Sequence, residues 1–265
     1  MNDPFWEAKS LEHLFRGKIA IVTGGAKGIG KAIVKQLAER GASVVIADIT
    51  ADGQEFCEHL KSEGRSVAFI RTDVRDAADT QAMVSMAETK YGGLDVLINS
   101  AGIFPRATLL ETTEELWDKI MDINLKGVYQ SCQAAVPAMT KRGAGVIVNI
   151  GSLNADGGAP NLFAYATSKG GVLTMTKNLA RALSKHKIRV NCVHPGWVVT
   201  EGEIEIQRAQ GSSDDWVETE GSKIPLGRVQ TPEDVSKTVV FLASDHADQI
   251  TGQAISVDGG LGLYY

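Results

Sequence analysis

Seven short β-branched runs, each separated from the next by a stretch long enough for a helix, constrain this chain more than any other feature. They are "KIAIVTG" from Lys18, "SVVIAD" from Ser43, "SVAFIRTD" from Ser66, "LDVLINS" from Leu94, "GVIVNIGS" from Gly145, "IRVNCVHPG" from Ile188 and "AISVDGG" from Ala254. Several are apolar at nearly every position, as strands covered on both faces must be. Helical patterns lie between them, such as "GKAIVKQLAERG" from Gly30, with Gly41 placed to stop the helix. Parallel neighbours need a crossover connection, and a helix is the usual one. The alternation predicts an α/β fold: a doubly wound, seven-stranded parallel sheet with helices on both faces, in a single domain over 18–265. Residues 1–17 form an N-terminal extension. Its Phe5, Trp6, Leu11, Leu14 and Phe15 suit a short amphipathic helix packed on the protein's own body or against another subunit.

Two segments break the rhythm. "TTEELWDKIMDINLKGVYQSCQAAVPAM" from Thr112 is long for one helix, with a break expected near Asn124 and Pro137 late in the run. The segment 197–222 carries no strand signal and no clear helix signal. It holds Glu201, Glu203, Glu205, Asp214, Asp215, Glu218 and Glu220 against the single base Arg208. It follows the sixth strand, on the side where such sheets bind ligands. An acidic lid insertion is expected there, with a solvated surface excursion as the alternative.

Composition narrows the partners. The 265 residues are 43% hydrophobic and 22% charged, with a net charge of −5. Those values suit a globular protein and imply no basic surface for nucleic acid or an anionic membrane. No run reaches the length of a membrane span, and the N-terminus lacks the apolar core of a secretory signal. Cys57, Cys132 and Cys192 have neither metal-ligand nor CxxC spacing, and the five histidines are scattered. Reduced thiols, no metal site and a cytoplasmic location are expected.

The first chemical motif is Thr23-Gly-Gly-Ala-Lys-Gly-Ile-Gly30, after the first strand and opening the first helix. Gly24, Gly28 and Gly30 let the backbone turn tightly and present N–H groups, with the helix N-terminus, to a pyrophosphate. Lys27 and Ile29 belong to the same loop. Asp48 ends the second strand, where a carboxylate accepts the hydroxyls of an adenosine ribose. This is the Rossmann-type arrangement for a dinucleotide. A 2′-phosphate would meet that carboxylate, and Ile49 and Thr50 supply no base, so NAD is expected ahead of NADP; Lys27 is the one nearby cation that offsets this.

The second motif is "FAYATSKGG" from Phe163, with Tyr165 and Lys169 one helical turn apart on one face. Spacing alone makes this an ordinary coincidence. Set beside TGGAKGIG (23–30), TDV (72–74), NSAG (99–102), Asn124 in "INLKG", Ser152 in "NIGS", PGWVVT (195–200) and TGQAISVDGG (251–260), it becomes a pattern. From about Lys18 to Gly260 the chain resembles the short-chain dehydrogenase/reductase family. Ser100 is a departure, since the family more often has a second asparagine there.

The resemblance implies a catalytic group of Asn124, Ser152, Tyr165 and Lys169. It also implies Asp73 and Val74 at the adenine, Asn99, Ala101 and Gly102 at the ribose, and Pro195, Gly196, Val198 and Thr200 at the nicotinamide. Tyr165 and Lys169 would touch the cofactor as well, Lys169 through the nicotinamide ribose. Asn124 would hold a water that relays protons, and Ser152 would bond the substrate oxygen. Structural roles are the competing readings: Asn124 as a helix kink, Ser152 as a loop serine, Thr200 as a cap. The chemistry wants a base, because hydride leaves an alcohol carbon only if the hydroxyl proton also leaves. A free phenol is a poor base at neutral pH. A cation about 4 Å away, at an effective dielectric near 20, favours the phenolate by about 4 kcal/mol.

Asn154, Asn161 and Trp197 are candidates for the substrate wall with Ser152, each of them equally a loop residue bonding its own backbone. An amide and an indole N–H suit a polyhydroxylated ligand, and an acidic lid disfavours phosphorylated or carrier-borne substrates. The expected reaction is NAD-dependent oxidation of a neutral sugar, polyol or other secondary alcohol, with Tyr165 as general base. The alternatives are a 3-oxoacyl or other carbonyl reductase using NADPH, and a non-catalytic dinucleotide-binding scaffold. The resemblance further implies a homotetramer through segments 113–141 and 162–185. Ala134, Ala135, Ala164, Ala166 and Gly170 there suit close helix approach between subunits or burial within one.

Overall fold

A computed structural model describes residues 13–264. The strands are β1 (Ile19–Thr23), β2 (Ser43–Asp48), β3 (Val67–Arg71), β4 (Val96–Asn99), β5 (Gly145–Ile150), β6 (Ile188–Pro195) and β7 (Ala254–Val257). They form one sheet in the order β3-β2-β1-β4-β5-β6-β7, parallel at every pairing. The seven strands coincide with the seven apolar runs. The strand order reverses direction between β1 and β4, so the carboxyl ends of those two strands open a crevice for a ligand.

The helices are α1 (Gly28–Glu39), α2 (Asp52–Ser62), α3 (Ala77–Tyr91), α4 (Glu114–Met121), α5 (Gly127–Arg142), α6 (Phe163–Leu183), α7 (Glu201–Ala209), α8 (Trp216–Gly221) and α9 (Pro232–Ala243). One face of the sheet is covered by α1, α2 and α9, through Ile33, Leu37, Phe56, Leu60, Val235 and Val239. The other is covered by α3, α5 and α6, through Met83, Val84, Cys132, Ala135, Val172 and Ala180. Both faces of β1 are therefore dry: all five of its residues are buried. Its four apolar positions are what such a strand requires, and the hydroxyl of the terminal Thr23 is used, accepting the Ser100 and Ala101 N–H groups at 3.1 and 3.2 Å.

The N-terminal reading is only partly reached. Phe5, Trp6 and Leu11 lie outside the described residues. Phe15 is 1% exposed and sits in the core against α1, with its N–H donated to the Arg40 carbonyl at 3.0 Å. The packed body thus begins before Lys18. The long 112–139 pattern does break at Asn124, as a π-helical turn over Asp122–Lys126 between α4 and α5, and Pro137 lies inside α5. Ala134, Ala135, Ala164 and Ala166 are buried within the single subunit.

The segment 197–222 departs from expectation, because it contains α7 and α8. A capping signature, Thr200-Glu-Gly-Glu203, marks the start of α7. The Thr200 hydroxyl accepts the Glu203 N–H at 3.2 Å, and Glu201 and Glu203 stand in the first turn, where carboxylates are favoured. Helices of nine and six residues are too short for periodicity to reveal.

Candidate active site

The glycine loop carries β1 into α1 across the crevice. A methyl group on Gly30 would stand 2.0 Å from the Gly24 carbonyl oxygen, and one on Gly24 would stand 2.8 Å from the Ala101 backbone, so neither position admits a side chain. Asp48 holds this loop: one carboxylate oxygen accepts the Ala26 N–H at 2.9 Å, and the other accepts the Thr50 N–H at 2.9 Å and its hydroxyl at 3.1 Å. Asp48 still lines the cavity, with lone pairs to spare for a ribose. Lys27 is turned outward to Asp52 at 2.6 Å.

Tertiary structure brings two bases near this end that local sequence does not. Arg71 is the register partner of Asp48 on β3, and Arg75 forks onto Asp73 with contacts of 2.6–3.1 Å. Hydrogen bonding from Arg75 holds the Asp73 carboxyl below its ordinary range.

One cavity of about 890 Å³ joins the two halves of the crevice. It is lined by Gly24, Lys27, Gly28, Ile29, Gly30, Asp48, Asp73, Val74, Ala101 and Gly102 at one end. At the other it is lined by Ser152, Asn154, Asn161, Tyr165, Lys169, Pro195, Gly196, Trp197, Val198 and Thr200. The expected cofactor and substrate residues therefore meet in one space, with two exceptions. Asn99 is turned into the sheet, where its amide donates to Asn149 Oδ1 at 2.8 Å, so its side chain is structural. Asn124 is fully buried and ties a loop to the helix: Oδ1 accepts the Ile103 N–H at 2.9 Å, and Nδ2 donates to the Ile103 carbonyl at 2.8 Å and to Ser168 Oγ at 3.2 Å. Its side chain thus joins the loop after β4 to α6, directly behind cavity-lining Gly102.

Tyr165 and Lys169 share a face of α6, with Lys169 Nζ 5.7 Å from the phenol ring centroid. Lys169 is 5% exposed and donates to the Ile150 carbonyl at 2.8 Å. Burial lowers its pKa to about 8. Burial also holds the Tyr165 phenol above its ordinary range; the Ser152 hydroxyl and the Arg106 guanidinium pull it down, and Glu203 pushes it up. The expected picture, a phenol drawn down by its lysine, is corrected here: burial is the largest cause and the net shift is upward, with Ser152, Arg106 and Glu203 as the groups acting on the phenol.

Those two residues were missed in the sequence. Glu203, on α7, is 4% exposed. Arg106 Nη2 donates to both of its carboxylate oxygens, at 2.9 and 3.1 Å. Trp197 Nε1 and Gln207 Nε2 donate to it at 2.9 and 2.8 Å. A buried carboxylate persists only with such partners. The lid is thus not uniformly solvated, and the Trp197 indole N–H is occupied internally and not offered to a ligand. The Trp197 ring also packs on Trp216 of α8, centroids 5.6 Å apart. Asn154 likewise serves its own loop, donating to Ser152 Oγ at 3.3 Å and accepting the Ala159 N–H at 2.9 Å. Asn161 holds the Arg106 loop through its backbone carbonyl, which accepts the Ala107 N–H at 2.7 Å. Thr200 is the helix cap as well as a cavity residue. Glu201 reaches back to the glycine loop, accepting the Gly28 N–H at 3.0 Å.

Comparison with known proteins places the chain among relatives over nearly its whole length. A family model described as enoyl-(acyl carrier protein) reductase matches residues 24–262. A 3-oxoacyl-(acyl-carrier-protein) reductase of Staphylococcus aureus is 38% identical over 246 residues, 92% of this chain and 98% of the relative. One from Thermotoga maritima is 40% identical over 251 residues, again 92% and 98%. The crystal structure of gox2181 superposes with a TM-score of 0.88 at 36% identity, covering 96% of this chain and 99% of the other. A parallel sheet with a glycine loop, a Ser–Tyr–Lys group in the same crevice, and relatives matched over more than nine-tenths of the chain lead to one conclusion: the chain belongs to the short-chain dehydrogenase/reductase family, NAD(P)-dependent oxidoreductases acting on CH–OH groups.

Proposed function

We propose that this enzyme interconverts a 3-oxoacyl compound and its 3-hydroxy form, using NAD(H). The names of the reductases matched over nearly the whole chain carry the substrate class. A nicotinamide cofactor held by the glycine loop, Asp48 and Lys169 would supply the hydride for the ketone carbon. Tyr165 would give a proton to the ketone oxygen or, in the oxidation direction, take one from the hydroxyl. Ser152 steadies the oxygen as charge develops on it. Lys169 favours the tyrosinate left behind. The cofactor preference rests on Asp48 facing the ribose position with Ile49 and Thr50 after it, while Arg71 and Arg75 lessen the repulsion a 2′-phosphate would meet.

A second reading, NAD-linked oxidation of a neutral secondary alcohol, sugar or polyol, is supported by the same Asp48 and by Glu201 and Glu220 on the cavity wall. The test is absorbance of the reduced cofactor with acetoacetyl-coenzyme A plus NADH or NADPH, against polyols plus NAD or NADP. Consumption of NADH by the thioester supports the first reading. Turnover of polyols alone replaces it with the second, and cofactor binding without turnover of any alcohol or ketone removes both.

A further inference from the structure

Arg106 sits on the loop after β4, far in sequence from both Tyr165 and the lid, yet it lines the same cavity. Its guanidinium carries five N–H donors. Nη2 is committed to Glu203, whose carboxylate is fixed by Trp197 and Gln207. Among the described residues, Nε and Nη1 have no protein acceptor, and the side chain keeps 22% exposure. The fork is thus anchored along one edge and leaves open donors at a cavity wall. Charge narrows what those donors fit. The guanidinium is neutralised by Glu203, and Glu201 and Glu220 also line the cavity, so a free anion gains little there. A neutral oxygen acceptor gains a charge-assisted hydrogen bond.

We propose that Arg106, held by Glu203, is the specificity-determining residue of this enzyme, and that it selects substrates bearing a second neutral oxygen close to the reacting carbon. This rests on the oxidoreductase reading above. In a 3-oxoacyl substrate the second oxygen is the acyl carbonyl; in a polyol it is a neighbouring hydroxyl. The pair also binds the lid to the pocket wall, since Glu203 belongs to α7 and Arg106 to the loop after β4.

The test compares matched substrates: ethyl acetoacetate against a monoketone of equal chain length for reduction, and 2,3-butanediol against 2-butanol for oxidation. The wild-type kcat/KM should favour the dioxygenated member by about tenfold or more, the worth of one hydrogen bond to a charged group. Arg106→Met should bring that ratio to within about twofold, mainly through KM, and Arg106→Lys should restore part of it. The ratio is the readout because Arg106 also acts on Tyr165, which changes both rates together. A wild-type ratio near one overturns the proposal without any variant, so a poorly folding Arg106→Met does not protect it. A ratio that survives in Arg106→Met overturns it too, leaving the oxidoreductase reading intact. Failure to turn over either member of both pairs sinks the reading and the proposal together.

Discussion

The two halves of the crevice are built differently. At the dinucleotide end, the groups are placed mainly by backbone contacts: a side chain on Gly30 would meet the Gly24 carbonyl, and Asp48 accepts the Ala26 and Thr50 N–H groups. At the substrate end, the groups around Tyr165 come from the loop after β4, from α6 and from α7, and they are held by side-chain pairs such as Arg106–Glu203, 97 residues apart. The first kind of site is fixed by backbone geometry, and the second by charge pairing across loops. A backbone site tolerates little change in sequence. A side-chain site depends on each partner of its pairs staying in place.

The sharpest way to break this comparison is to remove the group on which the halves converge. Tyr165→Phe should cut turnover about 10³-fold, within the range for losing a general acid–base, while cofactor affinity measured by fluorescence titration stays within about twofold. Near wild-type turnover would remove Tyr165 from the chemistry.

Next in size is Lys169→Met. Because the buried ammonium titrates at about 8 instead of 10.5, carrying its charge in the fold costs about 3 kcal/mol at neutral pH. The variant should lose activity and gain up to that much stability in denaturant titration. The sign follows from proton uptake: between 8 and 10.5 the unfolded chain holds the proton and the folded one does not. Wild-type stability relative to the variant therefore rises with pH across that window and is lowest below it. A variant no more stable than wild type at neutral pH would mean the Ile150 carbonyl compensates the burial.

At the dinucleotide end, Asp48→Ala combined with Ile49→Arg should shift the NADP/NAD preference by about ten- to a hundredfold, as a charge-assisted contact replaces a repulsion. An unchanged ratio would mean that Arg71 or Arg75 already reads the ribose. The smallest effect expected is on the pH profile. Glu203 raises the Tyr165 pKa and Arg106 lowers it, so the alkaline rise in oxidation rate should move to lower pH in Glu203→Gln and to higher pH in Arg106→Met. Limbs that move the same way would show that the pair acts through packing alone.

The misreadings share a cause. Apolar runs buried on both faces, the glycine loop and the Tyr–Lys turn all have local signatures, and the structure places them as expected. The carboxylates of 197–222 read alike as acids on a lid, yet Glu203 is buried under four donor contacts while Glu201 and Glu205 stay exposed. A capping signature at Thr200 was available for the start of α7, but no local signal marks Glu203 as a partner of Arg106. Asn99 and Asn124 are a different case: matched motif positions singled them out, and packing adds that their side chains bond Asn149 and Ile103.

By itself the sequence determined the sheet, its two covered faces and the place of the dinucleotide, because strand burial and tight glycine turns are imposed by residues adjacent in the chain. Tertiary structure alone decided which acid is buried, where Trp197 spends its N–H, and which cation pairs with that acid at the cavity wall. Those outcomes depend on desolvated charges finding partners, and the partners arrive from distant segments only after the chain has folded.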